Sequence, residues 1–403
     1  MTTRADASAV GRVAGLDGLR AVAALSVFVF HLAEVSPQVR ATSDSFVFYT
    51  RHLDVGVAIF FVLSGFVVTR PFLAGRATPA PVVPVGGYAL RRVLRIGPAW
   101  WVFLAGAVAF GWLDHVSEFS GNFAPDSPLH VLAWATLTHG WWFQPVHVSW
   151  TLSVEVVMYA LVPLWAGAIR RVPRARWKVE VAGAGLLVAC GLVATWTRWF
   201  RPPETRFAAV VVQPLIAFGA GMLLAAVAAA LVGTDREARV RRALGTTGIW
   251  WSAAAVLYLV LARQIVDAPP TILYGVTGST RVLFARDLVQ VVIAVLLVGS
   301  VVFADPDRSR VVRLLTWRPL AAVGLVSYGI YLWHTTVLRW WRWSFTPAEL
   351  AADPSRLARL GEFGGPGRGW RDGFFALLLT LVIATASYAV VERPARRLAG
   401  RRR

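Results

Sequence analysis

Hydrophobic residues arrive along this chain in long blocks, separated by short polar segments dense in arginine. A block of about 15–25 residues, at 1.5 Å of rise per residue, spans the roughly 30 Å of hydrocarbon in a bilayer. The blocks predict about ten membrane helices, over residues 16–33, 54–73, 98–112, 148–169, 179–199, 207–232, 249–265, 284–303, 320–341 and 374–391. The third is short, and residues 131–143 read as a re-entrant or interfacial helix. The predicted fold class is therefore an all-α integral membrane protein.

The polar segments set the orientation, because cytoplasmic connections collect basic residues. Segments after even-numbered spans hold Arg76, Arg91, Arg92 and Arg95, then Arg170, Arg171, Arg174, Arg176 and Lys178. Arg236, Arg239, Arg241 and Arg242 follow, then Arg308, Arg310, Arg313 and Arg318. Segments after odd-numbered spans mix both signs, so both termini are expected in the cytoplasm. No cleavable leader pattern precedes the first apolar block, and the longest connection, about 35 residues, is too short to bury a core of its own. Residues 1–403 read as one membrane domain, with a short cytoplasmic leader (1–14) and a basic tail (393–403).

Composition narrows the chemistry. With 57% hydrophobic residues over 403 positions the chain belongs in a bilayer, which supplies another reason for its net charge of +19 than nucleic acid. One cysteine, Cys190, excludes an internal disulfide and CxxC motifs. The loop histidines His115, His130, His139 and His147 lack compact ligand spacing, so no metal site is expected.

Ionisable groups inside apolar spans cost roughly 2.5–3.5 kcal/mol each on insertion scales, so they mark protein interiors or wet cavities. Arg20 and His31 share one helix face, three turns and roughly 16 Å apart. Glu155 lies about two turns into the fourth span, at a depth close to His31. The two could bridge helices, or the carboxylate could hold the imidazole as a base for a hydroxyl proton. Asp17 suits helix capping better than ion pairing. Arg92 and Arg95 share a face; with Arg91 they are either topology signals or a clamp for donor phosphates. Ser64, Ser153, Trp150, Tyr328, Tyr331, His334, Arg286 and Asp287 complete the acceptor or lining candidates, while Trp340-Trp341-Arg342-Trp343 and Trp141-Trp142 suit an interfacial aromatic belt.

Six segments in order resemble the acyltransferase 3 family of membrane acyltransferases: Gly15-Leu16-Asp17-Gly18-Leu19-Arg20 with His31; Phe60-Phe61-Val62-Leu63-Ser64-Gly65-Phe66; Arg91-Arg92-Val93-Leu94-Arg95-Ile96-Gly97-Pro98; Trp150 to Glu155 with Tyr159; Ser327-Tyr328-Gly329-Ile330-Tyr331-Leu332-Trp333-His334; and Glu392-Arg393-Pro394. The resemblance runs from about Gly15 to Pro394. It implies ten spans in the bacterial inner membrane and transfer of an acyl group, acetyl above all, from acyl-CoA to a hydroxyl of a carbohydrate-containing acceptor, such as an envelope glycan, a glycolipid or a glycosylated secondary metabolite. It further implies His31 as catalytic base, Arg20 as its partner, Glu155 as supporting carboxylate, and Arg92 and Arg95 at the donor site. Acyl-CoA is then a co-substrate, with no permanently bound cofactor, no nucleic acid partner, and no carboxy-terminal extracytoplasmic hydrolase-like domain. The rival reading is a transporter or flippase for a glycan or lipid precursor, since intramembrane His, Glu and Arg also build proton relays; the chain shows no internal repeat to favour it.

Overall fold

A computed structural model describes residues 13–35, 49–50, 52–73, 84–109, 128–139, 149–171, 176–201, 212–264, 280–345 and 365–401. Every long regular element among them is helical: α1 (Leu16–Val35), α2 (Val55–Leu73), α3 (Val85–Ala109), α4 (Pro128–Ala135), α5 (Trp150–Arg171), α6 (Arg176–Phe200), α7 (Leu215–Leu231), α8 (Glu237–Leu244), α9 (Thr247–Gln264), α10 (Thr280–Phe303), α11 (Arg310–Leu315), α12 (Arg318–Leu325), α13 (Ser327–Phe345), α14 (Gly365–Ser387) and, after a π-helical turn at Tyr388–Glu392, α15 (Arg393–Arg401). Among the described residues, six helices are long and apolar enough to cross a membrane, or eight if two bent pairs each form one span. The bent pairs are α8 with α9, at 45°, and α12 with α13, at 71°.

Each predicted span overlaps a helix, but α3 and α7, at the third and sixth, are not among those long and apolar enough to cross, and the boundaries differ. The third is the second half of α3, which starts at Val85 and runs on through Pro98. Arg91, Arg92 and Arg95 are thus fixed to a rigid helix and do not lie in a loop. The ninth span is broken at Val326, and the tenth begins at Gly365. For the sixth, the described helix is α7, while residues 202–211 lie outside the described residues. The re-entrant segment is described only as α4 and its exit turn; His115, His147, Trp141 and Trp142 lie outside the described residues, as do Arg76 and Arg174.

Small residues decide how closely the helices approach, since lipid supplies no hydrophobic drive between them. α2 packs on α7 and α7 on α6. A Cβ on Gly65 would lie 2.1 Å from the Phe218 carbonyl oxygen, and one on Gly221 2.1 Å from that of Val62, so the α2–α7 seam is closed by two glycines facing opposite backbones. α1 packs against α2, α12 and α13. The break between α12 and α13 falls where Gly324 meets α1, because a Cβ there would lie 1.8 Å from the Asp17 carbonyl oxygen. That contact brings Ser327 and Tyr328, at the start of α13, beside Arg20, and further along the same two helices pair His31 with His334. α1 and α13 therefore run parallel through the bundle.

Candidate active site

At the end of the bundle where α1 begins, a cavity of about 420 Å³ is lined by Arg20, Arg70, Arg92, Arg95 and Arg396, with Asp17 as its one acidic lining residue among the described residues. Asp17 pairs with Arg20 at 2.7 Å, so its side chain serves the ion pair. Arg92 and Arg95 reach the cavity from one face of α3, as their spacing requires. The Arg92 guanidinium lies 5.3 Å from the Tyr88 ring centroid and 5.2 Å from that of Tyr159, which orients it by cation–π contact. Arg70 comes from the last turn of α2 and Arg396 from α15, where it also bonds Glu392 at 3.2 Å. Arg91 is not among the lining residues.

A second, smaller cavity of about 80 Å³ adjoins the first, sharing Arg20, Arg95, Ser327 and Tyr328 with it. Glu155 lines it and accepts hydrogen bonds from Ser64, at 2.9 Å, and from Tyr159. On the other side, Tyr331 and Thr151 share a hydrogen bond of 2.6 Å, and Tyr328 donates to the Ile96 carbonyl at 2.9 Å. The amino-terminal end of α13 faces both cavities, and its positive dipole end favours negative charge there.

His31 stands beyond this second cavity. Its Nδ1 lies 2.9 Å from the Val27 carbonyl oxygen and 3.0 Å from Nε2 of His334, and its Nε2 lies 3.9 Å from Glu34 Oε2. The Tyr331 and His334 rings approach with centroids 5.8 Å apart, so the histidine pair and the Glu155 cavity meet across Tyr331. The expected His31–Glu155 pair is not made: the hydrogen bonds of Glu155 go to Ser64 and Tyr159, and Glu34 is the carboxylate set beside His31. Glu34 escaped the sequence reading, although it stands three residues after His31 on the same helix face. Arg396 was legible only as part of a basic tail, since its sequence distance from Arg20 hides their shared cavity.

The other predicted residues fall elsewhere. Ser153 is fully buried on α5 and Trp150 packs on the core at its first residue. Arg286 and Asp287, candidates for the acceptor, are built into a buried cluster on α10: Arg286 pairs with Asp54, Gln290 bonds Asp54 at 2.7 Å, and Trp199 bonds Asp287 at 2.7 Å. That cluster joins α2, α6 and α10, and neither cavity includes it. His139, outside the spans, sits 2.6 Å from Ser149 Oγ and stacks on Trp100 at 5.8 Å. Burial pushes its pKa down to about 4, against a smaller opposing pull from the Ala133 carbonyl. Among the described residues, no group of three His, Cys, Asp or Glu side chains could hold a metal ion.

Comparison with known proteins adds a family to this geometry. Acyltransferase MdmB of Streptomyces mycarofaciens is 27% identical over 98% of this chain and 94% of its own length. The peptidoglycan O-acetyltransferase OatA of Listeria monocytogenes is 23% identical over 96% of this chain and 56% of its own, and O-acetyltransferase OatA of Staphylococcus aureus is 22% identical over 95% and 57%. The chain thus spans little more than half the length of those OatA proteins. No solved structure matches it. The acyltransferase domain of the acyltransferase 3 type matches residues 13–390, nearly the whole chain, and the protein belongs to that family.

Proposed function

We propose that this chain is a multi-pass membrane O-acyltransferase, a single domain of ten membrane helices with both termini cytoplasmic in the bacterial inner membrane. It moves an acyl group, acetyl in the first instance, from acyl-CoA to a hydroxyl of a carbohydrate-containing acceptor. The observation that carries this reading is the arginine-lined cavity and its adjoining pocket, joined at Arg20 and Arg95. Five arginines against one aspartate make a site for a polyanion, and guanidinium groups suit phosphate by their forked donors. The CoA phosphates sit at Arg20, Arg70, Arg92, Arg95 and Arg396, and the pantetheine arm passes Glu155 and Tyr331 towards His31, over the ~16 Å that separates Arg20 from His31 along α1.

At the thioester, His31 Nε2 takes the proton of the acceptor hydroxyl, whose oxygen attacks the carbonyl carbon. The tetrahedral oxyanion collapses with cleavage of the carbon–sulfur bond, and the departing thiolate receives the proton from His31. Glu34 stabilises the imidazolium between these steps. Glu155, held by Ser64 and Tyr159, shapes the pocket through which the acyl arm passes. The names of the related MdmB and OatA proteins support acyl transfer, and those of the OatA proteins support acetyl and, in one case, peptidoglycan.

The test is transfer of labelled acetyl from acetyl-CoA by purified protein in nanodiscs, following free CoA and labelled envelope glycans. Wild-type turnover that vanishes in His31→Ala, with protein levels matched, supports the reading. CoA release from neither variant, across short acyl donors and several acceptor pools, would overturn it in favour of a transporter.

A further inference from the structure

His334 is buried on α13 and reaches across to α1, and its surroundings fix where its proton sits. Its Nδ1 lies 3.1 Å from the Ile330 carbonyl oxygen and 2.8 Å from that of Tyr331. Carbonyls only accept, so Nδ1 carries the hydrogen and the Nε2 of a neutral ring is left as an acceptor. That Nε2 stands 3.0 Å from His31 Nδ1, which is itself 2.9 Å from the Val27 carbonyl oxygen. Both described neighbours of His31 Nδ1 are acceptors, so Nδ1 bears the hydrogen and donates to them together. The base lone pair of His31 then lies on Nε2, the nitrogen that faces Glu34 at 3.9 Å.

We infer that His334 is the positioning residue of the reaction, accepting from His31 Nδ1–H so that Nε2 stays the proton-accepting atom. This deepens the acyl-transfer reading and rests on it. A ring nitrogen here does the work that a carboxylate does in many hydrolase triads: it fixes ring rotation and tautomer, and it shares the charge when His31 becomes imidazolium. Neutral His334 does so without placing a further charge in the apolar interior, where Phe28 and Val337 pack. The parallel course of α1 and α13 makes the pair possible, since the two rings stand at matching heights, with centroids 4.8 Å apart.

Two substitutions of similar polarity separate positioning from mere support. His334→Gln sets a carbonyl oxygen near the place of Nε2 and keeps an acceptor for His31. His334→Asn keeps a donor for the Ile330 and Tyr331 carbonyls but leaves no acceptor within reach of His31. In nanodiscs we expect kcat of His334→Asn to fall on the order of 100-fold with KM for acetyl-CoA within about twofold, and His334→Gln to stay within about tenfold of wild type. Equal activity in Asn and Gln variants of equal thermal stability overturns the inference, as does a loss confined to KM. If either variant fails to fold, or the wild type shows no turnover, 15N spectra of the histidine-labelled wild type in bilayers still decide. Protonated Nδ1 and unprotonated Nε2 on both His31 and His334 are expected, and a hydrogen on His334 Nε2 overturns the inference irrespective of turnover.

Discussion

Ser64 on α2 donates a hydrogen bond of 2.9 Å to Glu155 on α5, across 91 residues of sequence. Together with Tyr159, one turn further along α5, it fixes the Glu155 carboxylate beside Arg95 in the smaller cavity. A hydrogen bond to a charged group contributes about 1.5–3 kcal/mol. Ser64→Ala removes the anchor that comes from another helix and leaves the helix α2 backbone unchanged. The expected outcome is a fall in kcat/KM of about 10–100-fold per folded molecule, measured by CoA release, with a loss of stability no larger than the about 1.5–3 kcal/mol of that hydrogen bond. Activity equal to wild type would mean that Tyr159 alone holds the carboxylate.

The arginine cavity makes a separate forecast. Arg92→Ala removes one guanidinium of the five that line it and leaves both histidines in place. KM for acetyl-CoA should rise about tenfold, with kcat changed by much less. Because the interaction is with phosphates, raising salt should weaken donor binding in wild type more than in the variant. Free pantetheine thioesters, which lack the nucleotide phosphates, should show little difference between the two proteins.

Much of this site was legible in the sequence because each helix contributes it in short, regular spacings. Arg92 and Arg95 share a face by periodicity, and Arg20 and His31 lie on one face of a span. What sequence periodicity within a helix leaves open is the rotation of one helix against another. Glu155 and His31 sit at similar depth, yet Glu155 turns to Ser64, while His31 turns to His334 and Glu34. Arg286 and Asp287 have the same signature as functional intramembrane charges, and only the positions of Asp54 and Trp199 reveal that they lock helices together. Likewise, the break at Val326 carries no proline at the bend itself; it lies two residues after Gly324, where the chain seats closely on α1.

The two glycines of the α2–α7 seam should be among the least replaceable small residues in the bundle. A leucine at Gly65 or Gly221 would have to push two backbones apart where a Cβ alone meets a carbonyl oxygen at 2.1 Å. Overpacking of this kind costs about 1–3 kcal/mol or more, so Gly65→Leu should lower the melting temperature in detergent and reduce the yield of monodisperse protein. By contrast, a leucine at Gly248, which has nothing within 4 Å of its Cβ position, should leave both unchanged.

The Arg286 cluster should behave as structure and not as catalysis. Arg286 bonds both Asp54 and Asp287, so Arg286→Leu leaves two carboxylates without their shared cation in a buried setting. Removing one partner of a buried pair typically costs about 3–5 kcal/mol. The expected outcome is a large loss of thermal stability, with kcat per folded molecule close to that of wild type. A fall in kcat without loss of stability would instead place these residues in acceptor binding.

His139 should make stability depend on pH. Its pKa lies near 4 in the folded protein, against 6.5 for an ordinary histidine, because burial disfavours the charged ring. Among the described residues, its neighbours, the Ser149 hydroxyl and the face of Trp100, bear no charge. Between pH 6.5 and 4 the unfolded state binds the proton and the folded state does not, so stability rises with pH across that window. His139 therefore imposes no penalty above pH 6.5, a growing one as pH falls towards 4, and a constant one below it, roughly 3 kcal/mol in all. His139→Gln keeps an amide for Ser149 and has nothing to titrate. Thermal unfolding at pH 7.5 and 4.5 should show a smaller drop for His139→Gln than for wild type. Equal drops would mean that the acid sensitivity of the fold arises at other groups and that His139 takes up its proton without cost.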